Sequence, residues 1–246
     1  MTGVTRSAPE ARRSAVLERW AARAGVLAFL VIAVGSVWGA VGYRGTAGEP
    51  YSPLNHWISE LGQVSVAAHA GFFNLMLVIG GASFIAFVVG LWLTSPSRLR
   101  WAFGPVGSLA GVGGLLVGVF SMDHPVQHVL AAFTFFNLGW VFVGLASISF
   151  IRNREARFPV WLAGVGAASV VAFIAFLVSL QTDEFSRQRM TSSGPILGRP
   201  DVWIAPILEW ATLVGIMVWV LLTSLAWWRQ LRREASAGVV AAGPTA

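Results

Sequence analysis

Val160–Leu180 reads VWLAGVGAASVVAFIAFLVSL, an unbroken apolar run without one ionisable side chain. As an α-helix rising ~1.5 Å per residue it crosses a hydrocarbon core of ~30 Å. A lone strand cannot do so, because lipid offers no partner for an exposed backbone N–H or C=O. Five further stretches repeat the pattern, near Ala22–Val41, Ala67–Leu93, Ala102–Met122, Val126–Phe150 and Ile204–Trp228. The chain has 246 residues, 56% of them hydrophobic and 11% charged, with a mean hydropathy of +0.69. That is more apolar surface than one water-soluble core can hide. The sequence therefore predicts an all-α integral membrane bundle of six transmembrane helices.

The breaks between the runs give an orientation. Arg6, Arg12, Arg13, Arg19, Arg23, Arg98, Arg100, Arg152, Arg154, Arg157, Arg229, Arg232 and Arg233 fall on one side, and only Arg44, Arg187, Arg189 and Arg199 on the other. The positive-inside bias puts both termini in the cytoplasm of a cell-membrane protein, with the first span as an uncleaved anchor. The net charge of +6 then reflects topology, and no nucleic-acid partner is expected. Cysteine is absent, which excludes disulfides and thiolate chemistry. Residues 1–21 and 229–246 read as mobile cytoplasmic tails around one six-span domain, 22–228. Two longer outer connections, about 42–66 and 181–203, are where function is expected to sit.

Within the first outer loop, Ser52 and Pro53 suit a helix start, Gly62 suits its exit, and Leu54, Trp57, Ile58 and Leu61 lie at i, i+3, i+4 and i+7. The spacing predicts a short interfacial helix over Tyr51–Gly62 whose polar face carries His56, Ser59, Glu60 and Gln63. In the third span Gly104, Gly111 and Gly118 recur every seven residues, with Gly107 and Gly114 between them. Such a stripe lets a neighbouring helix approach closely, either within the chain or in a homo-oligomer. Asn74 and Asn137 are amides inside spans and are expected to face other helices.

All four histidines lie on the outer side. Asp123-His124-Pro125-Val126-Gln127-His128 suggests a helix capped by Asp123, with His124 and His128 one turn apart, a spacing that can share a metal. His69 is the third ligand considered for zinc, with Glu60, His56 and Glu209 also in reach of the argument. Ordinary capping and interfacial histidines account for the same residues, so the cofactor expectation is none, with zinc as the alternative. Glu209 lies past Pro206 inside the sixth run, where an unpaired carboxylate is costly. It is expected to be protonated or paired, to Arg199, His69 or His128, unless the helix starts late enough for it to reach the interface.

The run Tyr51-Ser52-Pro53-Leu54-Asn55-His56-Trp57-Ile58-Ser59-Glu60-Leu61-Gly62 resembles the opening of the prokaryotic domain-of-unknown-function family numbered 998. Gly71 to Asn74, Asp123 to His128 with Ala131 and Ala132, and Gly198, Arg199 and Trp203 continue the resemblance. It implies a six-helix membrane fold and no particular activity.

The leading functional expectation is an outer-side polar pocket for a lipid headgroup or small amphiphile, built from His56, Ser59, Glu60, His69, Asp123, His128, Arg199 and Glu209. Glu209 would be its floor, the Tyr51–Gly62 helix its roof, and a Glu60–His128 hydrogen bond one of its ties. The alternative is a metal-dependent hydrolase acting on membrane lipid, with His124, His128 and His69 as ligands, Glu60 as general base and Ser59 orienting water. A structural scaffold meeting partners through the glycine stripe is the third reading.

Overall fold

The computed structural model describes residues 8–154, 157–186 and 198–241, with side chains from 14 to 236. Six long helices carry the six apolar runs: α1 (Ala8–Val41), α2 (Ala70–Thr94), α3 (Arg100–Val119), α4 (Pro125–Asn153), α5 (Trp161–Thr182) and α6 (Ile204–Ala241). All are long and apolar enough to span a bilayer, and the chain is a multi-pass membrane protein. Each helix packs on its neighbours in sequence, and α6 returns to α1, so the six close a ring. The α1–α2 connection and the described residues of the α5–α6 connection meet at one end, here the loop end. α1 and α6 place their extra turns at the far end, where helix runs into the two expected tail segments, from Ala8 and as far as Ala241.

The two halves of the ring are filled differently. Toward the far end aromatic side chains plug the interior. Phe142 stands edge-on to Phe84 at 5.7 Å and to Trp219 at 5.6 Å, and Phe150 stacks between Trp219 and Phe158 at 5.9 and 4.2 Å. Offset and edge-to-face rings satisfy one another's quadrupoles and leave little void. The loop half holds a second cluster of Tyr43, Ile58, Leu61, Val66, Ala67, Ala70 and Phe73, and above the plug it retains cavities.

The glycine register of α3 serves two neighbours within the chain. A Cβ on Gly111 would meet Ile85 and Phe84, and one on Gly118 would lie 2.7 Å from the Asn74 carbonyl oxygen, all on α2. Gly107 abuts Phe142 and Gly114 abuts Phe135, both on α4. Close helix approach is what small residues permit where lipid supplies no hydrophobic drive, and here it is used inside one chain. Asn74 Nδ2 donates to Gly62 O at 2.9 Å, reaching the loop. Asn137 differs from expectation: it is exposed, and its Nδ2 donates back to Phe133 O on its own helix at 2.9 Å.

The expected interfacial helix over Tyr51–Gly62 is reduced to one 3-10 turn, Ile58–Gly62. His56 and Glu60, assigned to its wet face, are both 2% exposed. The apolar spacing was real at Ile58 and Leu61, which are buried, but Leu54 is exposed and the polar His56 and Glu60 are buried with them, so the segment does not divide into one apolar and one wet helix face.

Candidate functional site

Glu60 is the centre of the loop end. Its Oε1 accepts from the Trp57 amide at 2.9 Å, closing the 3-10 turn on itself. Arg199 donates to the same carboxylate through Nη1 at 2.9 Å and Nη2 at 2.8 Å, and the Tyr43 hydroxyl adds a bond of 2.6 Å. A carboxylate has about four lone-pair sites, and all are used. Arg199 is delivered by Gly198, whose φ of +67° is a left-handed conformation that glycine adopts freely. Its Nη1 also donates to Asn55 O at 2.6 Å. Asn55 Nδ2 donates to Pro200 O at 2.9 Å and the Trp203 amide to Leu54 O at 2.8 Å, so the two long loops are laced together. The charges leave their mark on the neighbours. Burial and then the Glu60 charge raise the Tyr43 hydroxyl well above the ordinary phenol range. Burial opposes the charge on Arg199, yet hydrogen bonding to Glu60 overcomes it and raises the guanidinium.

Beside this pair sits an aromatic box. Tyr43 is edge-on to Tyr51 at 5.3 Å and to His56 at 5.1 Å. Trp210 of α6 donates to the Tyr51 hydroxyl at 2.7 Å. His56 Nδ1 lies 2.7 Å from Asn55 Oδ1, and its Nε2 is 3.6 Å from Glu49. Burial, reinforced by the positive Arg199, lowers the His56 pKa below its usual value. Neither tyrosine was singled out from the sequence. The available signal was that the chain has only two tyrosines and both flank one loop.

One step along the 3-10 turn the chemistry changes. Ser59, His128 and Glu209 line a central cavity of about 70 Å³, otherwise walled by Phe73, Phe84 and Phe135, Leu and Met side chains and three glycines. The same three residues line a second recess of about 140 Å³ that runs between α4 and α5 past Phe133, Phe136 and Phe176. Phe133 is 37% exposed, so this recess opens sideways toward lipid. Glu209 is buried, and its Oε2 accepts the Ile58 amide at 2.7 Å; its other oxygen has no hydrogen-bond partner among the described residues. This is the paired reading of Glu209, with a backbone amide in place of the three side chains considered. His128 Nδ1 lies 2.8 Å from Phe120 O. A carbonyl can only accept, so Nδ1 carries the hydrogen of this bond and Nε2 is the ring nitrogen left for a guest. Ser59 Oγ makes only a weak bond to Met122 Sδ at 3.3 Å. The cavity thus offers the polar groups of Ser59, His128 and Glu209 to a guest.

The remaining expected residues are placed elsewhere. The Glu60–His128 hydrogen bond does not form, because Arg199, Tyr43 and Trp57 saturate Glu60, and a saturated carboxylate is poorly placed to act as a general base. His69 stacks on Trp38 at 5.0 Å and bonds Trp38 O. His124 is exposed against the Phe120 ring. Among the described residues no group of three or more His, Asp or Glu side chains could hold a metal ion, so His124, His128 and His69 do not converge. Asp123 does not cap α4. The helix starts at Pro125 with His124 as its N-cap, and Asp123 Oδ2 accepts from Val64 N at 2.9 Å and Ser121 Oγ at 2.8 Å. Asp183 accepts from Trp203 Nε1 at 2.7 Å and so also joins the loop packing. Arg187 and Arg189 lie outside the described residues.

Residues 31–228 match the model of a family described as protein of unknown function (DUF998). That is most of the chain, and the chain belongs to this family. No curated protein and no solved structure matches it.

Proposed function

We propose that this DUF998 member binds a small amphiphile, its polar head among Ser59, His128 and Glu209 and its tail between α4 and α5. The observation that carries the reading is the shared lining. Three polar side chains face a cavity that is otherwise apolar, and the same three line a lateral recess beside it. Sites for small ligands have this build, an apolar wall with a few convergent polar groups that fix orientation. His128 Nε2 and the free oxygen of Glu209 are the groups left for a guest, and an amine or hydroxyl head can hydrogen-bond to both. The Glu60–Arg199 lacing above is the rigid roof that holds Ser59 and the Ile58 amide in place. Under the arginine bias both termini are cytoplasmic in the cell membrane and the site opens to the outer leaflet.

Ala132 lines both spaces one turn beyond His128, and Ala132→Phe fills them without touching a hydrogen bond. Mass spectrometry of organic extracts should find an amine- or hydroxyl-bearing amphiphile with purified wild-type protein and at least ~10-fold less with the variant, at equal thermal stability. An extract that matches the empty-detergent control, or equal retention by both proteins, would sink the proposal.

A further inference from the structure

At the far end, α5 begins beside the last membrane turns of α6, and a recess of about 160 Å³ lies between them. Its lining is ordered along α6. Leu222 and Leu225 come first, then Arg229 and Arg233, with Arg157 and Trp161 opposite. The positions are three or four residues apart and so share one helix face. Apolar below and basic at the rim is the order of a phospholipid's own tail and head.

The charges favour the same guest. Arg157 is held in place: its Nη2 donates to Thr94 O at 3.0 Å, it contacts Glu18 at 3.5 Å, and its guanidinium lies over Phe158 and Trp227 at 5.1 and 5.3 Å. Arg229 and Arg233 are different. They are like charges one turn apart, which repel, and neither has an ion-pair or hydrogen-bond partner among the described residues. The neighbouring acid, Glu234, accepts from Gln230 instead, at 3.1 Å. No acidic side chain among the described residues lines the recess. Trp161, half exposed at 52%, is the amphipathic ring that membranes hold at headgroup level.

We infer that this recess seats the phosphodiester head of an anionic phospholipid, gripped by Arg229 and Arg233 beside Arg157. Guanidinium forks match phosphate oxygens in pairs, and basic pockets between spans are suited to anionic headgroups. The inference is independent of the amphiphile site at the loop end.

The test titrates full-length detergent-solubilised protein with phosphatidylglycerol or phosphatidylcholine and reads bound lipid by native mass spectrometry. Wild type should prefer phosphatidylglycerol, and Arg229→Gln with Arg233→Gln should weaken that binding about thirty-fold. Leu225→Trp, which fills the recess without altering charge, should also lose it. Arg152→Gln with Arg154→Gln, an exposed pair at the same end, should keep it. Millimolar inorganic phosphate should not displace the lipid. Equal affinity for the two lipids, equal loss in the Arg152/Arg154 control, retention by Leu225→Trp, or displacement by phosphate would each overturn the proposal.

Discussion

Arg199 meets Glu60 at the loop end and Arg157 meets Glu18 at the far end, each joining the first part of the chain to the second, but on different terms. The Glu60 pair is bidentate at 2.8 and 2.9 Å, with side chains 3% and 9% exposed and a tyrosine hydroxyl and a backbone amide completing the carboxylate. The Glu18 pair is longer, 3.5 Å, and wetter at 15% and 13%. Two charges withdrawn from water repay their desolvation only when geometry and additional hydrogen bonds are nearly complete. The loop end meets that condition, and its charges are thereby consumed in architecture. At the far end arginine charge remains exposed and available to a ligand.

The largest expected effect breaks the better-buried pair. Arg199→Ala leaves Glu60 charged, desolvated and short of its two strongest donors, and should cost about 3–5 kcal/mol. Arg157→Ala, which loses the longer contact to Glu18, the bond to Thr94 O and the packing over Phe158 and Trp227, should cost roughly 1–2 kcal/mol. Chemical unfolding in detergent compares them, and equal losses would remove the distinction between the two ends. Pairing Arg199→Met with Glu60→Gln should recover much of the loss, because no charge is then stranded.

A smaller contrast uses one substitution at both ends. Gly118, near the loop end of α3, would bring a methyl group 2.7 Å from the Asn74 carbonyl oxygen and 3.0 Å from the Val78 nitrogen, and backbone cannot step aside. Gly118→Ala should therefore destabilise by about 1–3 kcal/mol. Gly164, exposed in the first turns of α5, has nothing within 4 Å of the same position. Gly164→Ala should be neutral or stabilise by up to ~1 kcal/mol through helix propensity. Thermal scans of both variants suffice, and a loss at Gly164 matching that at Gly118 would mean that the ring is under equal packing constraint throughout.

What could be read from the sequence follows the same division. The spans were legible because an apolar run longer than a bilayer is thick has one stable solution, and Glu209 was legible as a carboxyl in the wrong solvent. The glycine register was legible because a period of seven is a property of one helix. The Glu60–Arg199 pair was not, since its members are 139 residues apart and meet only once the ring closes. Glu60 was consequently assigned to His128, the nearest-seeming cation at that end. Asp123 shows the same failure at short range: a carboxylate before Pro125 has the residue pattern of a cap, yet the exposed amide of Val64, brought over from another loop, takes it instead.

The smallest effect expected concerns pH and asks whether the loop end is as tightly committed as its hydrogen bonds imply. His56 is 2% exposed, and burial together with the Arg199 charge holds its folded pKa below the usual value near 6.5. At pH 7.5 it is neutral in both folded and unfolded chains and contributes no pH dependence. As pH falls below the unfolded pKa, the unfolded chain takes up the proton first, so stability declines until the folded pKa is reached. Glu49, whose backbone hydrogen bonds outweigh its own burial and lower its pKa, and Asp183, likewise lowered by bonds from Ser186 and Trp203 against burial, lose their contribution only at more acid pH. Between pH 7 and 5.5, then, His56→Asn should flatten the decline in melting temperature relative to wild type. Identical slopes for wild type and His56→Asn would show that His56 is hydrated in the folded protein and that the box around Tyr43 and Tyr51 opens far more readily than the Glu60–Arg199 lacing beside it.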